Sequence, residues 1–153
     1  MKKLFFTLVI FFAFVSNSFA SHIMGGDITY TCLGNNQYQV TLTLYRDCSG
    51  ITIGTTPQTV SFTSSCGTFT SNLDWVSTTN VSQVCPTQTT TCNGGTIPGT
   101  EQSIFTGIVT LPPCVDWIMS WNTCCRNGGI SNLTSPDSQD LYVQSTLNNV
   151  AGA

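Results

Sequence analysis

The chain has 153 residues, only 7% of them charged, and its four Lys and Arg against seven Asp and Glu give a net charge of −3. Lys2 and Lys3 sit at the extreme N-terminus, so Arg46 and Arg126 alone oppose Asp27, Asp47, Asp74, Glu101, Asp116, Asp137 and Asp140. That balance cannot neutralise a phosphate backbone, which excludes nucleic acid as a main partner, and it disfavours anionic lipid surfaces.

Lys2-Lys3 forms a short basic region, Leu4 to Val15 is apolar except for Thr7, and Ser18-Phe19-Ala20 is a small-x-small cleavage pattern. The apolar run is too short to span a bilayer and has the flanks of an export signal. Residues 1–20 therefore read as a signal peptide, with no integral membrane segment expected after its removal. Residues 21–153 read as a single domain of about 130 residues with one hydrophobic core. The stretch before Cys32 (Ile28-Thr29-Tyr30-Thr31) lacks the Leu-x-x-Cys spacing of a lipid anchor. The expected location is secreted or cell-surface, where thiols oxidise. Ending at Gly152-Ala153 shortly after its last strand pattern, the chain reads as the N-terminal part of a longer protein.

Thr, Ser, Asn, Gln and Gly carry the polarity, and helix-forming Ala, Glu and Lys are scarce between Ser21 and Asn149, which points to an all-β domain. Asp27 to Cys32 alternates, Gly34-Asn35-Asn36 suits a hairpin turn, and Tyr38, Val40, Leu42 and Leu44 alternate with Gln39, Thr41, Thr43 and Tyr45. Arg46 continues the inward phase of that second strand, so it should meet a carboxylate, because an unpaired buried charge is costly. Further strands are predicted at Thr59–Thr63, weakly at Leu73–Val76, at Ile104–Leu111 with Gly107 marking a bulge or close approach, at Val115–Trp121 and at Leu141–Leu147. Thr78 to Thr100 has no regular pattern and needs cross-linking to hold it. Strands so spaced predict an immunoglobulin-like antiparallel β-sandwich stapled by disulfides.

The eight cysteines, Cys32, Cys48, Cys66, Cys85, Cys92, Cys114, Cys124 and Cys125, are all expected in disulfides, although sequence cannot give the connectivity. Cys85 and Cys92 bracket a polar loop and could close it. Cys124 and Cys125 would point to opposite faces of an extended chain and so bond separate partners, clamping strand Val115–Trp121, with a strained vicinal bond as the alternative. Zinc would favour Cys-x2-4-Cys pairs and a redox centre Cys-x-x-Cys; neither spacing occurs, so no metal and no cofactor is expected.

Catalytic signals are equally sparse. His22 is the single histidine, and it would make a copper brace only as the first mature residue, which the cleavage pattern disfavours. The acids are scattered; Asp137 and Asp140 belong to a turn region at Ser135-Pro136-Asp137-Ser138 rather than forming a hydrolytic pair, and two carboxylates without a ligand series are a weak calcium signal. No Gly-x-Ser-x-Gly elbow occurs. The chain is expected not to be an enzyme.

Three segments form a recognisable set: Ser21-His22-Ile23-Met24-Gly25-Gly26-Asp27-Ile28-Thr29-Tyr30, then Tyr38 to Cys48, then Asp116-Trp117-Ile118-Met119-Ser120-Trp121 followed by Asn122-Thr123-Cys124-Cys125-Arg126-Asn127. Together they resemble the N-terminal domain of large secreted, gliding-motility-associated or adhesin-like surface proteins of Bacteroidetes-type bacteria. The resemblance implies a cell-surface location and downstream repeat domains in a longer parent chain.

The resulting expectation is a non-catalytic structural or adhesive domain, with a surface glycan or another cell-surface protein as partner. Trp117 and Trp121 should be core aromatics, and Arg46 and Arg126 members of structural ion pairs. A carbohydrate-binding module is the alternative, using Trp75, Tyr45 and Tyr142 as exposed aromatics. A secreted hydrolase or a copper enzyme at His22 is the remaining one.

Overall fold

A computed structural model describes residues 23–150. The signal segment and His22 lie outside these residues. Seven strands follow in chain order: β1 (Ile23–Gly34), β2 (Gln37–Asp47), β3 (Gln58–Ser64), β4 (Gly67–Asn80), β5 (Thr100–Thr110), β6 (Trp117–Thr123) and β7 (Leu141–Leu147). Short 3-10 turns occur at Thr91–Asn93 and Pro136–Ser138. No helix among the described residues is long and apolar enough to cross a membrane.

The first hairpin follows its sequence signals closely. Ile28 lies opposite Leu42 and Tyr30 opposite Val40, and Gly34 pairs with Gln37 across a two-residue loop. Asn35 and Asn36 in that loop have φ of 50° and 61°. Positive φ at both positions matches the loop's twist to that of the strands, and Asn tolerates it better than most residues.

Every neighbouring pair of strands is antiparallel, and the order β1-β2-β5-β4-β3-β6-β7 makes one continuous sheet. The all-β, disulfide-stapled expectation holds in that form. An immunoglobulin-like sandwich needs two separately bonded sheets, and here β4 belongs to both layers. Its residues Gly67–Leu73 pair with β3, and Asp74–Asn80 pair with β5. The sheet curls until its two edges meet: Tyr30 Oη on β1 donates to the Thr146 carbonyl on β7 at 3.0 Å. The result is close to a closed barrel.

Inside the curl lie Val40, Leu42 and Leu44 from β2, Val60 and Phe62 from β3, Leu73 from β4, Phe105 and Val109 from β5, and Trp117, Met119 and Trp121 from β6. Both tryptophans are core residues, as expected, with their N–H groups satisfied: Trp117 donates to the Pro112 carbonyl at 2.9 Å and Trp121 to Gln58 Oε1 at 3.2 Å. Phe69 stacks on Phe62, ring centres 4.9 Å apart, and meets Trp117 edge-on. Val115, expected to begin this strand, instead precedes it and is exposed.

β4 departs most from expectation. It runs for 14 residues, far beyond Leu73–Val76, and takes in Thr78 at the start of the unassigned middle. Only Leu73 along it is buried, so backbone pairing with β3 over its first half and β5 over its second, rather than an apolar stripe, sets its length. A register shift between Trp75 and Ser77 places one extra residue, Val76, just after β4 changes partners.

Gly107 marks a close approach. A Cβ there would lie 2.7 Å from Leu73 Cδ2 and 3.1 Å from the Asn72 carbonyl oxygen. Leu73 is fully buried and cannot move aside. Gly107→Ala should therefore cost about 1–3 kcal/mol through overpacking, offset only in part by the roughly 0.5–1 kcal/mol that Ala otherwise brings to a strand. Chemical denaturation decides the sign: an unchanged or higher midpoint would mean that Leu73 yields.

A candidate binding cleft

Arg46 is the last inward residue of β2 and is 5% exposed. Directly opposite on β5 stands Glu101. Nε and Nη2 of Arg46 both donate to Glu101 Oε2, at 2.9 and 2.6 Å, forming the one ion pair among the described residues. Nη1 donates to the carbonyls of Asp47 (3.1 Å) and Gly50 (2.8 Å). One guanidinium thus joins β2 to β5 and fixes the chain reversal after β2. The expected carboxylate partner of Arg46 is present.

That reversal is bonded further. Asp47 Oδ1 accepts from the Ser49 amide and hydroxyl at 2.9 and 2.7 Å. Cys48 is disulfide-bonded to Cys92, their Cα atoms 4.9 Å apart, and the Cys48 amide donates to the Gly99 carbonyl. The middle segment is therefore held by a cross-link, as expected, together with backbone bonds such as Val81 N–H to the Thr100 carbonyl at 2.9 Å.

Above the ion pair opens a cleft of about 290 Å³. Arg46, Glu101 and Ser103 line its floor, Trp75 and Thr78 of β4 line one wall, and Thr52 to Thr55 line the other. Trp75 is 39% exposed. Its indole N–H donates to Thr78 Oγ1 at 3.1 Å, and that hydroxyl shares a 2.9 Å hydrogen bond with Ser103, which is buried. The register shift next to Trp75 explains its position at the rim: Leu73 and Trp75 share the inward phase, and the sheet changes partners between them.

Of the three aromatics singled out from the sequence, only Trp75 lies in the cleft. Tyr45 is adjacent to Arg46 and so faces the other side of β2, where its hydroxyl accepts from Gln102 Nε2 at 3.1 Å. Tyr142 is exposed on β7. The three do not form one platform. Glu101, Ser103 and Thr78 were missed. The signal for the first two was their phase, since counting back by twos from the apolar Val109 and Phe105 reaches Ser103 and Glu101.

Arg126 corrects an expectation. Its Nε donates to the Asp140 backbone carbonyl at 2.9 Å, not to a carboxylate. Asp137 lies within the Pro136–Ser138 turn, as its sequence suggested. Asp27 is opposite Thr43, out of phase with the core of β2, and partial burial raises its carboxyl above the ordinary range.

The cysteines also depart from expectation. Cys66 bonds Cys114, and Cys124 bonds its neighbour Cys125. The predicted clamp through separate partners required an extended chain, but β6 ends at Thr123 and Cys125 has φ 78°. The turn removes the alternation that would aim the two sulfurs apart. Cys92 bonds Cys48 rather than closing the loop to Cys85, leaving Cys32 and Cys85 as exposed thiols. These two cannot reach each other. Cys32 pairs with Tyr38 at one end of the sheet, and Cys85 lies just beyond Ser82, which bonds to Thr100 at the other end.

The sulfurs of Cys48 and Cys92 and a Glu101 oxygen lie within 4.8 Å of one another, the one group of metal-donor types among the described residues. The sulfurs are joined to each other and the carboxylate to Arg46, so this donor set does not suit a metal ion while the disulfide is intact.

The three segments that carry the family resemblance meet at one end of the domain. Ile23 bridges Arg126, and Asn127 Nδ2 donates to Asp47 Oδ2 at 3.4 Å. Comparison of the chain with protein-family profiles, with curated proteins and with solved structures finds no match.

The pairing makes a countable prediction. Alkylation of the native, unreduced protein should add two labels, on Cys32 and Cys85, and non-reducing peptide maps should return Cys48–Cys92, Cys66–Cys114 and a peptide with an internal Cys124–Cys125 bond. No labelling without reduction would contradict this connectivity.

Proposed function

We propose that this chain is a non-catalytic domain displayed outside the cytoplasmic membrane of a bacterium, with a structural or adhesive role. On this reading it is the signal-bearing module of a larger, gliding-motility-associated surface protein. The observation that carries the proposal is the use of cross-links and charge. Two disulfides tie segments 44 and 48 residues apart, which suits an oxidising compartment. By the chain-entropy argument each stabilises the fold by about 4 kcal/mol. Few charged residues remain, and the charged pair in the cleft is neutralised by the contact between its own members. A rigid frame holding a neutral cleft suits binding better than turnover. The export pattern of residues 1–20 supports the same placement.

Intact source cells should bind antibody raised against the folded domain, and cells lacking the gene should attach less well to surfaces or to one another. Staining that appears only after permeabilisation would contradict the proposal.

A further inference from the structure

We infer that the cleft between Trp75 and the Arg46–Glu101 pair binds a neutral pyranose, one ring of a surface glycan. The inference rests on reading the chain as a surface-binding domain, and the cleft supplies its own arguments. At about 290 Å³ it lies at the small end of ligand sites, near 300 Å³, so it takes one sugar ring rather than a peptide or a nucleotide.

Its electrostatics select against charge. Arg46 and Glu101 neutralise each other across 2.6 Å, and no other Asp, Glu, Lys or Arg lines the cleft. A phosphate or carboxylate would find no surplus cation, and a purely apolar ligand would cover a polar floor without replacing its water. Hydroxyls match that floor. Both contacts to Glu101 go to Oε2, leaving Oε1 as an acceptor, and Nη2 of Arg46 carries a second N–H beyond the one given to Glu101. An adjacent donor and acceptor suit two neighbouring hydroxyls, each of which both gives and accepts. Thr52 and Thr55 add hydroxyls at the mouth.

The wall supplies the apolar contact. A pyranose presents a flat face of C–H groups, and Trp75 presents an indole whose plane is set by its bond to Thr78 and, through Thr78, by Ser103. A ring held before the ligand arrives loses little freedom on binding.

The test uses the purified, oxidised chain titrated with the methyl glycosides of glucose, galactose, mannose and N-acetylglucosamine. Tryptophan fluorescence and the indole N–H resonances are followed. Trp117 and Trp121 are buried, at 2% and 5% exposure, so only the Trp75 resonance should move. At least one glycoside should bind with a Kd of about 1 mM or tighter, and added salt should leave the affinity unchanged because no net charge is involved. Trp75→Ala should weaken binding by at least about tenfold, a loss of about 1.4 kcal/mol, with near-ultraviolet circular dichroism of the core intact. Thr55→Trp, which fills the mouth from an exposed position, should abolish binding even if Trp75→Ala fails to fold. Tyr142→Ala should change nothing. No shift of the Trp75 resonance with any glycoside, retained affinity in both cleft variants, or preferential salt-sensitive binding of glucuronic acid would overturn the inference. Surface staining of intact cells together with failed glycoside binding would overturn the cleft alone and leave the surface role standing.

Discussion

The fold turns on one buried guanidinium. Arg46 stands where β2 leaves the core, and a charge that deep is tolerable only when most of its N–H groups meet acceptors and a carboxylate balances it. Glu101 supplies one across the sheet, and the carbonyls of Asp47 and Gly50 supply two more from its own chain. These bonds fix the β2–β5 register at its open end and the course of the chain into Cys48. Through Cys48 they also locate Cys92 and the middle segment. The cleft exists because this pair forms its floor.

β4 is the second constraint. By pairing first with β3 and then with β5 it converts what would be two layers into one curled sheet, and it carries Trp75 at the crossover. A strand with one buried side chain cannot be held by apolar burial. Its order comes from hydrogen bonds to β3 along its first half and to β5 along its second, from the packing of Leu73 against Gly107 and from Phe69 on Phe62. The Cys66–Cys114 bridge pins the β3–β4 turn beside the entry to β6. Rigidity is thus concentrated at the two ends of the barrel, and the cleft lies beside one of them.

Much of this was legible in the residues. The first hairpin could be read because strict alternation and two turn-tolerant asparagines agree, and local signals decide a local structure. The inward placement of Arg46 followed from the same alternation. Its partner did not, because the β2–β5 register depends on contacts between segments 55 residues apart. β4 was underestimated because Thr, Ser and Asn on both faces leave no period to detect. The disulfides were hidden for a related reason: pairing is set by where the folded chain brings sulfurs together. At Cys124–Cys125 the extended-chain argument failed because the strand had already ended. Trp75 was identified as an exposed aromatic, but its companions Thr78, Ser103 and Glu101 come from a pairing that sequence alone does not fix.

The most direct test is a double-mutant cycle on Arg46→Ala and Glu101→Ala, read as unfolding free energy in denaturant. Both side chains are largely buried, at 6% and 21% exposure, so each single change should cost about 3–5 kcal/mol by stranding its partner. The double variant should then cost less than the sum of the two, giving a coupling of about 2–3 kcal/mol. Additive losses, with a coupling within about 0.5 kcal/mol of zero, would mean that the two side chains do not depend on each other and that the ion pair is not what holds the floor of the cleft.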